Sequence, residues 1–173
     1  MIYEPREDSL LLEKYVRAFA RGKVLDMGTG SGILAMAAKS KTPDVTAVDV
    51  NEEAVKYAKR KGINAFVSDL FEKVEGKFDV ITFNPPYLPQ EKDEVKEDAQ
   101  MLSGGKKGNE VIKKFLSQAR KHLEENGIIL MAYCSLTPDV EKIAEKDGFE
   151  VEVLEKQKYF FEELITSLLR VKG

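Results

Sequence analysis

Lys23-Val24-Leu25-Asp26-Met27-Gly28-Thr29-Gly30-Ser31-Gly32-Ile33-Leu34 carries a short apolar run into a glycine-rich turn and out into a small-residue helix expected to reach Lys39. Strand, glycine turn and helix in that order are the start of a nucleotide-binding α/β fold, because glycines let the backbone approach a ligand and take positive φ. The dinucleotide form of this turn, G-x-G-x-x-G, needs a third glycine where Ile33 stands; here that glycine comes one position early, at Gly32. Asp26, at the strand end, repels a pyrophosphate but suits an ammonium group.

The next strand, Val45 to Asp49, ends in a carboxylate about 20 residues on, where a ribose can donate both hydroxyls. Val50 follows it directly. Asp69-Leu70 follows a third strand, Asn64 to Val67, and Asp69 is placed to accept from an adenine amino group. Gly28 and Gly30 are the close-approach positions. These residues describe a ligand with adenosine and an amino acid but no phosphate, which is S-adenosylmethionine.

Outward from that turn, helical and strand patterns alternate, as in an α/β layer structure. Asp8 or Ser9 is expected to cap a first helix with Leu11, Leu12, Tyr15, Val16 and Phe19 on one face. Asn51 caps a third helix that has Glu52 and Glu53 in its first turn and stops at Gly62. Phe78 to Phe83 reads as a fourth strand. A helix over Val111, Ile112, Phe115, Leu116, Ala119 and Leu123 is expected to close near Gly127. Ile128 to Tyr133 is apolar on both faces, like a central parallel strand. Thr137-Pro138-Asp139 opens another helix with proline at its first position, and strands over Phe149–Leu154 and Leu164–Val171 end the chain.

At 173 residues, with 43% apolar and 33% charged residues, the sequence reads as one folded domain over 1–173, the first helix included. No apolar run approaches the ~20 residues of a spanning helix. The N-terminus has no basic leader or apolar signal core, and Cys134 is alone, so a cytoplasmic location is expected. With one histidine, His122, and one cysteine, no zinc cluster is expected and no metal site is assigned. The net charge of −3 counts against wrapping long nucleic acid.

The fourth strand delivers Asn84-Pro85-Pro86-Tyr87 to the strand end where open α/β sheets bind ligands. A planar NH₂ is a poor nucleophile, since its lone pair is delocalised. Accepting its two hydrogens on the Asn84 side-chain oxygen and the Pro85 carbonyl orients the nitrogen and offsets its developing charge. Proline holds Asn84 extended, and Tyr87 offers a ring for the planar group to stack on. Asn84, Pro85 and Tyr87 are the catalytic candidates, and Asn84 is counted with the cofactor set as well.

The tetrapeptide alone fits a protein glutamine amide or an adenine or guanine amino group in DNA or RNA. Lysine, whose ammonium is tetrahedral, suits a flat clamp poorly, and a non-enzymatic adenosyl-binding module leaves Asn84 and Tyr87 unexplained.

Tyr3-Glu4-Pro5-Arg6-Glu7-Asp8-Ser9-Leu10-Leu11-Leu12, Asp26 to Gly32, Phe83 to Tyr87 and Gly104 to Val111 together resemble the HemK-type glutamine N5-methyltransferases. The resemblance is to their short archaeal and eukaryotic branch, which acts on class I translation release factors. It covers nearly the whole chain. It implies a Rossmann-like class I S-adenosylmethionine-dependent methyltransferase fold: a seven-stranded, mostly parallel sheet with an antiparallel last strand and no separate substrate-recognition domain. It also implies the glutamine of a release factor's Gly-Gly-Gln loop as substrate, a small zinc-binding activator as heterodimer partner, and Ser9 beside the methionine moiety. The chain departs from the family at Leu102-Ser103, where relatives often carry a tryptophan or another large residue.

Three further features stand apart. Residues 88–109 are polar and long for a loop, with Glu91, Asp93, Glu94, Glu97 and Asp98 outnumbering Lys92 and Lys96. Lys106, Lys107, Lys156 and Lys158 form no ordered stripe. Tyr159-Phe160-Phe161 reads as core or interface rather than a base-stacking platform.

Overall fold

Seven strands form one sheet in the order β3-β2-β1-β4-β5-β7-β6 in a computed structural model that describes residues 6–86 and 108–173. The strands are β1 (Val24–Met27), β2 (Val45–Asp49), β3 (Asn64–Val67), β4 (Phe78–Phe83), β5 (Leu123–Cys134), β6 (Phe149–Lys158) and β7 (Glu163–Val171). β1 to β5 pair in parallel, and β7 runs antiparallel to both β5 and β6. The last strand in the chain is thus the reversed one, as expected, and it is inserted between β5 and β6.

The helices are α1 (Glu7–Phe19), α2 (Ile33–Lys39), α3 (Glu52–Arg60), α4 (Glu110–Ala119) and α5 (Val140–Lys146). Side chains alternate across a strand, so β5 splits its apolar run between two cores. Ile128, Leu130 and Ala132 join Leu12, Val16, Ala35 and Val55 on the α1–α3 side. Ile129, Met131 and Tyr133 join Ile112, Phe115, Leu116 and Ala144 under α4 and α5. His122 belongs to the second layer: its ring stacks on Phe71 at 4.6 Å and its Nδ1 lies 2.9 Å from the Gly76 carbonyl oxygen.

Several boundaries differ from expectation. α1 begins after Arg6, and no side chain caps it, so Asp8 and Ser9 lie within its first turn instead. The helix before β5 ends at Ala119 and passes through a 3₁₀ turn, Arg120–His122, so Leu123 opens a strand. Asn126-Gly127, a sequence signal for a helix stop, is instead an irregularity within β5, with Asn126 at φ 64° and the register against β4 shifting between Phe78 and Val80. Pro138 precedes α5 rather than opening it, because Asp139 takes the left-handed position before the first helical residue. β6 continues to Lys158, so Tyr159, Phe160 and Phe161 lie in the β6–β7 turn. Phe160 is 92% and Phe161 84% exposed, which excludes a core role for that pair.

Among the described residues no helix is long and apolar enough to cross a membrane.

Gly22 shows how the entry to β1 is fixed. Its φ is +58°, and a Cβ there would fall on Asp79 Oδ2, which accepts the Lys23 N–H at 2.8 Å. Replacing Gly22 by Ala is expected to lower stability by about 1–3 kcal/mol through left-handed strain and displacement of that carboxylate. Denaturant unfolding at constant m-value measures it, and an unchanged midpoint would contradict this account.

Candidate active site

Parallel strands end together, so β1, β2, β3 and β4 bring residues 28–32, 49–50, 68–70 and 84–86 to one sheet edge. β1 lies between β2 and β4, which is where the strand order reverses and where open α/β sheets form a ligand crevice. Gly28, Gly30 and Gly32 have φ of 66°, 50° and 79°, so the turn uses all three glycines. A Cβ on Gly28 would stand 3.6 Å from the Phe83 ring.

Asp26 lies under this turn, 1% exposed. Thr29 Oγ1 donates to its Oδ2 and Thr82 Oγ1 to its Oδ1, each at 2.8 Å. Burial pushes its carboxyl up to about 6, against the pull of the Thr82 and Thr29 hydroxyls. Thr82 is its register neighbour on β4, a partner that the sequence reading missed although the strand alignment could have supplied it. Asp26 therefore supports the turn from beneath, with both oxygens engaged, rather than offering an open surface.

Asp49 ties the next strand to the same turn. Its Oδ2 accepts the Gly30 N–H at 2.9 Å and its Oδ1 the Asn51 N–H at 2.8 Å. Burial raises its carboxyl too, opposed by those backbone donors. Val50 beside it is 56% exposed, an apolar side chain at the crevice. Asp69 is accessible and pairs with Lys114 Nζ at 3.2 Å. Leu70 is buried with φ 50°, held by a turn in which Ser68 Oγ donates to the Leu70 carbonyl at 2.8 Å.

Asn84 joins β4 to α1. Its Nδ2 donates to Ser9 Oγ at 3.1 Å. Its Oδ1 is buried and has no hydrogen-bond partner among the described residues. A buried acceptor without a partner costs about 1–3 kcal/mol, and this one sits just past the end of β4. Pro85 is buried and Pro86 half-buried beside it. Tyr87, Tyr3 to Pro5, the acidic run from Glu91 to Asp98, and Leu102 to Lys107 lie outside the described residues.

A family model described as the methyltransferase small domain matches residues 7–161. A Methanocaldococcus jannaschii protein, provisionally named a protein N5-glutamine methyltransferase, is 41% identical over 176 residues, covering 95% of this chain and 89% of its own. The chain belongs to the methyltransferase small domain family, in its N5-glutamine branch.

A release factor glutamine methyltransferase of Koribacter versatilis is 35% identical over 64% of this chain, and the match spans 46% of that longer protein. The solved structure of Encephalitozoon cuniculi Mtq2–Trm112, described as responsible for methylating the termination factor eRF1, superposes with a TM-score of 0.81. It is 25% identical and covers 99% of both chains. A Bacteroides fragilis S-adenosylmethionine-dependent methyltransferase, solved with S-adenosyl-L-homocysteine, shares the fold at a TM-score of 0.66 and 21% identity. The methyltransferase's residues fit S-adenosylmethionine: three positive-φ glycines let a ligand approach the turn, Asp49 and Asp69 stand at the neighbouring strand ends, and the turn carries no Lys or Arg.

Proposed function

We propose that this methyltransferase methylates the side-chain amide nitrogen of the glutamine in a Gly-Gly-Gln loop of a translation release factor. One observation carries the reading: Asn84 Oδ1 is a buried acceptor with no partner among the described residues. An amide NH₂ supplies the missing donor. The second hydrogen goes to the Pro85 carbonyl, so the nitrogen is oriented and its developing positive charge offset. Tyr87, the third catalytic candidate, lies outside the described residues. The nitrogen gains the methyl group and releases one of its two protons to solvent.

S-adenosylmethionine, when bound, supplies an activated methyl group on a sulfonium, so neither a metal nor a covalent enzyme intermediate is needed. Gly28 and Gly30 would admit its close approach, Asp49 would accept the ribose hydroxyls, and Val50 and Leu70 would offer apolar contact to the adenosine. Asp69 would accept from the adenine amino group. Ser9 would border the methionine moiety, and Asp26 would supply a negative field to its ammonium.

That last role has a pH signature. The Asp26 carboxyl sits above its ordinary 3.8, so the folded protein holds a proton that the unfolded chain releases. Its contribution to stability is therefore present below about pH 4 and is lost as pH rises through about 6. An ammonium favours the ionised carboxyl, so cofactor binding expels the proton. Affinity for S-adenosylhomocysteine is expected to rise between pH 5 and 7, with a slope of up to about tenfold per unit below 6. Calorimetry on Asp26→Asn should give a flatter profile, the residue of the slope reporting Asp49. An unaltered profile would remove Asp26 from this role.

The relatives' names support a release factor as substrate, and the E. cuniculi complex supports a small activator subunit, which we take to be zinc-binding. The active unit is one domain over residues 1–173, working in the cytoplasm beside the translation machinery. Incubation with labelled S-adenosylmethionine, a release factor, and parallel DNA and RNA tests the substrate. Label is expected in the release factor. Label in nucleic acid alone would move the enzyme to the amino-group reading.

A further inference from the structure

We propose that Ser9, backed by Asp8, is a positioning residue that fixes which way the Asn84 amide faces. The proposal rests on the reading of Asn84 as the substrate's acceptor. Rotating a carboxamide by half a turn exchanges its oxygen and its NH₂ with little change in shape. For this enzyme the exchange decides activity. One orientation presents an acceptor to the substrate's NH₂; the other presents two donors to a group that is itself a donor.

The side chains around Asn84 select the first. Asp8 Oδ1 accepts the Ser9 N–H at 2.7 Å and lies 3.4 Å from Ser9 Oγ, which donates to it. A carboxylate has only acceptors to offer, so the Ser9 hydroxyl proton points toward Asp8. The Ser9 oxygen is left with lone pairs for Asn84, and only the NH₂ end of the amide can use them. Asn84 Nδ2 does so at 3.1 Å, across 75 residues of chain. Its Oδ1 is thereby turned away from Ser9 and has no partner among the described residues.

The 3.4 Å bond is long, but it has only to bias a choice between two orientations. A bias of about 1.4 kcal/mol is already tenfold. Ser9 and Asp8 are 3% and 6% exposed, so little water competes for the hydroxyl. Their position explains why a serine sits inside the first turn of α1 although it caps nothing.

The test compares Ser9→Ala and Ser9→Thr with wild type for methyl transfer to the release factor, together with S-adenosylhomocysteine affinity. Ser9→Ala is expected to lower kcat about 10–100-fold, with KM and cofactor affinity within about threefold, because the lost preorganisation matters mainly in the transition state. Ser9→Thr keeps the hydroxyl and should restore kcat to within about threefold. Should Ser9→Ala fail to fold, Asp8→Ala replaces it; freeing the hydroxyl to donate to a flipped Asn84 should cost about tenfold in kcat.

Hydrogen exchange at the Asn84 side-chain NH₂, followed by NMR, needs no methyl acceptor and should quicken at least about tenfold in Ser9→Ala. Unchanged kcat and exchange in Ser9→Ala would overturn the proposal while Asn84→Ala still marks the acceptor. A matching fall in cofactor affinity and kcat would make Ser9 a wall of the cofactor site instead. Wild-type enzyme that labels only nucleic acid would refute the release-factor reading, and the exchange measurement would still decide the role of Ser9.

Discussion

Asn84→Ala is expected to reduce methyl transfer by at least about 10²–10³-fold, the scale seen when one preorganised polar contact to a developing charge is removed. Cofactor affinity should stay within about tenfold, because the contact that matters is made to the acceptor nitrogen in the transition state. Among the described residues the Asn84 oxygen has no partner to lose, so the variant should unfold no earlier than wild type by more than the single Ser9 bond allows. Single-turnover kinetics with saturating cofactor, alongside calorimetric binding of S-adenosylhomocysteine, separates the two effects. Equal losses in binding and turnover would show that Asn84 serves the cofactor rather than the acceptor.

Asp49→Ala is expected to act in the opposite sense. Two ribose hydroxyls donating to one carboxylate contribute about 1.5–3 kcal/mol each before the cost of stripping water from it. Burial already raises the Asp49 carboxyl, so that cost has largely been met in the folded chain. A net loss of about 2–3 kcal/mol corresponds to roughly 30–150-fold weaker cofactor binding. Asp49 also holds the Gly30 and Asn51 N–H groups, so the glycine turn should loosen and exchange its amides faster. Turnover at saturating cofactor should change far less than affinity. Unchanged affinity would remove Asp49 from the ribose site.

Much of the architecture was legible because its signals were local. β2, β3, β4 and α2 end where the sequence places them, each bounded by a glycine, an asparagine or a proline with a defined backbone preference. Asn51 caps α3 by accepting the Glu53 N–H. Misreadings arose where one local signal has two uses. Asn126-Gly127 stops helices elsewhere, but here it accommodates an irregular stretch of β5. β6, expected over Phe149–Leu154, runs on through the charged residues to Lys158; it is an edge strand, and edge strands carry charge on their open side. Of the core-or-interface reading of Tyr159 to Phe161, the core half fails for Phe160 and Phe161, which are exposed and pack edge to face on each other at the hairpin tip.

The site divides along the same line. Carboxylates and glycines at strand ends could be read from spacing, because parallel strands bring their ends together whatever lies between them. The engagement of Asp26 by Thr82 depends on β1–β4 register, and the Ser9–Asn84 contact depends on how α1 crosses the sheet edge. Neither distance is encoded in a motif. Ser9 belongs to the cofactor set by family resemblance alone, and its hydrogen bond gives that position a physical connection to Asn84.

The most direct test of the central claim is the site of methylation on the release factor. Mass spectrometry of peptides from a release factor treated with enzyme and S-adenosylmethionine should find one methyl group on the side-chain nitrogen of the Gly-Gly-Gln glutamine. A release factor with that glutamine changed to alanine should take none. Methylation elsewhere that persists in the altered factor, or methyl groups confined to nucleic acid, would contradict the account.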